Sequence, residues 1–136
     1  DFIRSMISKY NISNRVVFEI LEDESIKNYQ CLVQFIDEVK ALGCKIAIDD
    51  FGSGYSNFEH LLRLDVNYIK IDGSLIKNIA SDEKHRIIVE TIVSFARRIG
   101  IKTAAEFVAD KQILEIIKEI GVSCAQGYYI GKPEKL

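Results

Sequence analysis

Strand and helix periodicities that alternate along the chain, a glycine closing helix after helix, and a polar residue ending each strand together predict an α/β fold. The expected architecture is a partial (β/α)8 barrel of the TIM type, with about five of the eight βα units present. The glycine signal is a weak internal repeat. Leu42-Gly43-Cys44-Lys45-Ile46-Ala47, Ile99-Gly100-Ile101-Lys102-Thr103-Ala104 and Ile120-Gly121-Val122-Ser123-Cys124-Ala125 each end a helix in an aliphatic residue, place Gly at the cap and open a strand. A fourth junction, Leu64-Asp65-Val66-Asn67-Tyr68-Ile69-Lys70, keeps the pattern with Asp for Gly.

The elements follow in order. Residues 1–10 carry Phe2, Ile3, Met6 and Ile7 at helical spacing and read as the tail of a helix whose preceding strand is not present. Residues 15–20 form a β-branched strand in which Val16, Phe18 and Ile20 oppose Arg15, Val17 and Glu19. Residues 25–42 repeat Tyr29, Leu32, Val33, Ile36 and Val39 as a helix, with Asp23 and Glu24 near its start. Residues 45–49 alternate, Ile46 and Ile48 against Lys45, Ala47 and Asp49; Ser56 then reads as the cap of a short helix through Phe58 to Leu62. Further strands centre near residues 69, 104 and 125. Between them lie a helix over 82–98, with Ser81 as cap and Ile88, Thr91, Ile92 and Phe95 on one face, and a helix over 110–120 with Ile113, Leu114 and Ile117.

Composition narrows the function class. The 136 residues are 48% hydrophobic and 28% charged, ordinary proportions for one globular domain. A net charge of −2 with interspersed signs gives no basic face for a nucleic acid polymer. No apolar run approaches membrane-helix length and no signal-peptide pattern opens the chain, so a cytoplasmic location without membrane insertion is expected. Cys31, Cys44 and Cys124, odd in number and set among apolar neighbours, read as reduced core thiols.

The chemistry collects at the strand ends. In a βα barrel the inward face of each strand fills the interior, and its last residue at the C-terminal end lines the site. Glu19, Asp49 with Asp50, Lys70, Glu106 and Gln126 hold those places, and the same-face residues two and four before Glu19, Asp49 and Glu106 are small or charged. Adjacent carboxylates stay ionised together when a cation lies beside them, so Asp49-Asp50 points to a divalent metal. The plainer alternative, an acidic pair that only opens a turn, does not account for polar ends on every strand. Gly52 and Gly54 leave the following backbone free to take positive φ or approach a ligand. His60 and His85 lie away from the strand ends and read as solvated or structural. Lys45 and Lys102 read as partners of acids low in the barrel. Tyr55, Tyr128 and Tyr129 are placed equally well for stacking on a base and for ordinary packing.

Five segments in order resemble a known family: Phe18-Glu19-Ile20-Leu21-Glu22, Asp49-Asp50-Phe51-Gly52-Ser53-Gly54-Tyr55-Ser56, Tyr68-Ile69-Lys70-Ile71-Asp72, Ala105-Glu106 and Gln126-Gly127-Tyr128-Tyr129. From about Arg15 to Pro133 the chain is similar to the C-terminal part of an EAL domain, the cyclic di-GMP phosphodiesterase. The resemblance implies that residues 1–136 are the C-terminal portion of one such barrel, with the N-terminal strands and the Glu-Ala-Leu motif absent. It implies metal-dependent hydrolysis of cyclic di-GMP to linear diguanylate (5′-pGpG) by the intact domain, in bacterial second-messenger signalling, with this segment inactive alone. By the same resemblance Glu19, Asp49, Asp50 and Glu106 are ligands of Mg²⁺ or Mn²⁺, two ions per site. Lys70 holds the attacking water, Glu106 serves the chemical step, and Gln126, Glu22, Gly52, Gly54 and Tyr55 are substrate or loop residues. Expected partners are cyclic di-GMP, the N-terminal half of the same domain, and a second copy in a homodimer or self-association. Two departures stand out: the usual Ala-Glu-Gly-Val-Glu reads Ala105-Glu106-Phe107-Val108-Ala109. They leave open an alternative, a degenerate EAL domain that senses cyclic di-GMP or binds a protein. A two-component receiver domain fits less well, because there the acidic pair closes the first strand, whereas here it follows a complete βα unit.

Overall fold

Each of the first four strands is followed by a helical crossover too long for a hairpin, and parallel pairing is the result. The computed structural model describes residues 2–23, 28–54 and 57–133. Helix α1 (Phe2–Tyr10) leads through a 3-10 turn (Ser13–Arg15) into β1 (Val17–Leu21), followed by α2 (Tyr29–Ala41) and β2 (Lys45–Phe51). Then come α3 (Phe58–Arg63), β3 (Tyr68–Ile71), α4 (Gly73–Lys77), α5 (Glu83–Arg98), β4 (Lys102–Ala105), α6 (Lys111–Ile120) and β5 (Cys124–Ala125). The sheet has five strands in the order β1-β2-β3-β4-β5, all pairs parallel.

Register sorts the side chains into two faces. Ile20, Ile48, Ile69 and Thr103 lie in one row across four strands, and none is more than 9% exposed. The Thr103 hydroxyl, the polar member of that row, accepts a hydrogen bond from Ser123 N at 3.3 Å, so its burial leaves no orphaned group. This face packs on the helices, where Ile36, Val39, Ile76, Val89, Ile92, Ala96 and Ile117 are buried; each Ile or Val among them contributes roughly 1.5–3 kcal/mol. The opposite face is left open, among the described residues, at Val17 and Leu21, which are 46% and 43% exposed.

Several elements differ in detail from expectation. Arg15 closes the 3-10 turn instead of opening β1. Caps shift to the residue whose carboxylate or amide oxygen reaches the helix N–H groups: Asn57 caps α3 and Asp82, not Ser81, caps α5; Ser56 and the expected helix start at Ser25 lie outside the described residues. The buried stripe of α5 is Val89, Ile92, Val93 and Ala96, with Ile88 41% exposed. Ala96 brings the helix close to the sheet, and Phe95 turns aside to meet Phe58 edge-on at 4.8 Å. The three glycine junctions hold, with φ of +91°, +78° and +95° at Gly43, Gly100 and Gly121. Of the cysteines only Cys44 is buried; Cys31 and Cys124 are exposed free thiols. Cys124 pairs in register with Ala104 and so lies on the face opposite the helices.

Candidate metal and phosphodiester site

A regular strand sends neighbouring side chains to opposite faces, so adjacent acids on β2 cannot share a site without a break in the pattern. The break is a β-bulge: Ile48 pairs with Ile69 and Phe51 with Ile71, three steps on β2 against two on β3. Asp50 takes up the extra residue at φ +55°, a conformation that acidic side chains adopt more readily than most. Phe51 is thereby returned to the core, 1% exposed, while Asp49 and Asp50 stay together. Carboxylate oxygens of Asp49, Asp50 and Glu106 lie within 4.8 Å of one another.

Lys70 stands among the acids. Its ammonium donates to Glu19 Oε1 at 2.7 Å and lies 2.6 Å from Glu106 Oε1 and 3.9 Å from Asp49 Oδ1. Burial pulls the ammonium's pKa down, but the bonds to Glu106 and Glu19 and the Asp49 charge outweigh it, and the pKa lies above the ordinary lysine value. Asp50 is pushed up, first by burial and then by the charges of Asp49 and Asp72, with Lys70 opposing. Excess negative charge of this kind is what a divalent cation relieves, and three converging carboxylates are the hard oxygen donors that Mg²⁺ or Mn²⁺ takes. The residues present therefore fit a divalent ion.

The loop after the acids is held from several sides. The Glu22 carboxylate, on a residue 6% exposed, accepts from Asn57 N at 3.3 Å. Gly52 has φ +94°, a backbone that favours glycine, and a Cβ there would come within 2.6 Å of Leu75 Cδ1, which would have to shift. A Cβ at Gly54 would meet nothing within 4 Å; packing does not call for glycine at that position. Gln126 donates its N–H to Ala105 O at 2.8 Å, which sets the end of β5 beside Glu106. Tyr55 lies outside the described residues. Tyr128 and Tyr129 are 71% and 47% exposed.

Other expected roles fall elsewhere. Lys45 and Lys102 have no acid partner among the described residues; they line a cavity of about 440 Å³ with Asn67 and Tyr68 at the N-terminal ends of the strands, where Lys45 sits 5.8 Å over the Tyr68 ring. Their rows on the sheet contain no carboxylate at that level. His60 packs against Tyr29 at 5.2 Å and His85 lies 3.7 Å from Asp82; neither belongs to the group formed by Asp49, Asp50 and Glu106. Asp72 was not singled out by sequence, yet it bears on Asp50 and caps α4 through Ser74 N and Ser74 Oγ. Its signal was an Asp-Gly-Ser run directly after a strand.

Comparison with known proteins decides the family, because the EAL domain description matches residues 1–133. The chain belongs to the EAL domain family. It is 41% identical over 124 residues to the cyclic di-GMP phosphodiesterase PdeB of Shewanella oneidensis, covering 91% of this chain and 14% of that protein. To the cyclic di-GMP phosphodiesterase PdeA of Borreliella burgdorferi it is 35% identical over 136 residues, 99% of this chain and 20% of that protein. Among solved structures, the Xanthomonas citri FimX EAL domain in complex with c-diGMP superposes with a TM-score of 0.91 at 30% identity, over 98% of this chain and 53% of that one. The PaMucR phosphodiesterase in its c-di-GMP complex gives 0.90 at 29%, over 96% and 53%. This EAL chain thus spans about half of those structures and a fifth or less of those two curated relatives. Among the described residues no helix is long and apolar enough to cross a membrane.

Proposed function

We propose that the chain is the C-terminal portion of an EAL barrel which, when complete, hydrolyses cyclic di-GMP to the linear dinucleotide 5′-pGpG. The observation that carries this reading is the convergence of Asp49, Asp50 and Glu106 within 4.8 Å, with Lys70 bridging Glu106 and Glu19. Asp49, Asp50, Glu19 and Glu106 would hold Mg²⁺ or Mn²⁺, two ions in the complete site. The cations supply charge neutralisation for the phosphodiester and lower the pKa of water. Glu106 takes the proton of the attacking water, and the Lys70 ammonium orients that water and offsets the charge that builds on the phosphoryl oxygens. Water attacks phosphorus in line, one P–O3′ bond breaks, and the departing 3′ oxygen is protonated.

Among the described residues no strand pairs with the outer edges of β1 and β5, which supports docking against further strands of the same domain, or against a second copy. The free thiols of Cys31, Cys44 and Cys124 favour a reducing, cytoplasmic setting. Phe107 and Ala109 support a second reading, a sensor that binds cyclic di-GMP without cleaving it. Product analysis of the complete domain with cyclic di-GMP and Mn²⁺ separates the two: 5′-pGpG supports the enzyme, and tight binding with intact ligand supports the sensor.

A further inference from the structure

Phe107 follows Glu106 directly, so its Cα is about 3.8 Å from that of a residue in the acidic site. Its backbone is at φ +60°, a left-handed conformation that costs a bulky side chain roughly 1–2 kcal/mol. Both neighbours hold it there. Upstream, Glu106 is tied to Lys70 at 2.6 Å. Downstream, fully buried Val108 donates to Gln126 O at 3.0 Å and accepts from Tyr129 N at 3.1 Å.

This strain brings no burial in return, for Phe107 is 66% exposed. The ring is nevertheless placed: Cγ, Cδ2 and Cε2 are seated so closely against Gly73 that a Cβ there would come within 2.1–3.0 Å of them. Gly73 lets the ring lie down on the start of α4 while the remainder faces solvent at the C-terminal end of the sheet. Exposed Tyr128 and Tyr129 are on the same rim, joined to it through the Val108–Tyr129 hydrogen bond. A strained, seated and exposed aromatic beside a phosphodiester site has the chemistry of a stacking surface for a flat heterocycle.

We infer that Phe107 stacks against a guanine base of the dinucleotide and positions the scissile phosphate over Asp49, Asp50 and Glu106. The inference rests on the cyclic di-GMP reading above. Loss of the ring weakens binding of substrate and leaves the acids in place, so the loss falls on KM and Kd more than on kcat.

The test compares wild type with Phe107→Gly, Phe107→Leu and Phe107→Tyr in the protein carrying the complete domain. Three quantities are measured: Kd for cyclic di-GMP in Ca²⁺, kcat and KM in Mn²⁺, and Tm. The Gly and Leu variants are expected to raise Kd and KM on the order of tenfold, as removal of one stacked base does, while Tyr keeps wild-type values. Phe107→Gly should melt no lower than wild type, since glycine takes the positive φ freely. Wild-type affinity in the Leu and Gly variants, or a Tyr variant as weak as Leu, overturns the stacking role. A fall of several degrees in Tm for Phe107→Gly marks the ring as a structural wedge and also overturns it. A wild type that neither binds nor cleaves cyclic di-GMP fails the functional reading itself, and this inference with it.

Discussion

Replacing Lys70 with Met keeps the length of the side chain and removes the one cation that faces the acidic cluster among the described residues. Its contacts set the magnitude. The Glu19 pair at 2.7 Å involves a carboxylate 49% exposed, and such a partly solvated bridge contributes up to about 1 kcal/mol. The Glu106 pair at 2.6 Å joins side chains 13% and 17% exposed, a charged hydrogen bond with a net contribution of about 1.5–3 kcal/mol. Losing both, and gaining back the desolvation of the ammonium, destabilises by about 2–3 kcal/mol, or on the order of 8 °C in Tm for a chain this long. Divalent cation should then compensate. Thermal melts of wild type and Lys70→Met in chelator, repeated with Mn²⁺, should show a deficit that narrows with the ion, because the unpaired carboxylates of the variant gain more from it. Melts within a degree or two in chelator, or an equal Mn²⁺ gain in both proteins, would refute the account of Lys70 as the charge that balances Glu19, Asp49 and Glu106.

Glu106→Gln removes a proton acceptor and little volume; kcat should fall by about 10² to 10⁴, with affinity for cyclic di-GMP in Ca²⁺ nearly kept, as steady-state kinetics and calorimetry would show. Gly127→Ala puts a Cβ within 2.3 Å of Val108 N and Val108 O, backbone atoms that cannot turn aside, so a loss of roughly 1–3 kcal/mol in denaturant melts is expected. Residues 1–136 expressed alone should self-associate through the outer edges of β1 and β5 and show no turnover; sedimentation and product analysis check both. A stable, active monomer would show that further strands are dispensable.

Five parallel strands, their order of polar ends and the glycine junctions were legible in the sequence because period-two alternation and Gly caps are local signals. Asp49 and Asp50 read together as one metal site, but the backbone geometry that lets two neighbours on a strand share it was not legible. It depends on the bulge opposite Ile69 and Ile71, and bulges arise from the register of two strands, which no single segment encodes. Lys45 and Lys102 were misread for a related reason: strand alternation gives the face, but the partner at that level belongs to the neighbouring strands. The exposure of Cys124 and Val17 was equally hidden, since apolar neighbours in sequence do not say which face of the sheet is covered. Phe107 was visible as a departure, but its seat on Gly73 joins residues 34 positions apart.

The most direct measurement follows cyclic di-GMP by chromatography in the complete domain, wild type beside Asp49→Ala, with Mn²⁺ titrated from chelator upward. The account predicts 5′-pGpG that appears only with the ion in wild type, and a folded Asp49→Ala protein that makes none at any concentration. Turnover in wild type that persists in chelator, or full turnover in Asp49→Ala at saturating Mn²⁺, would contradict it.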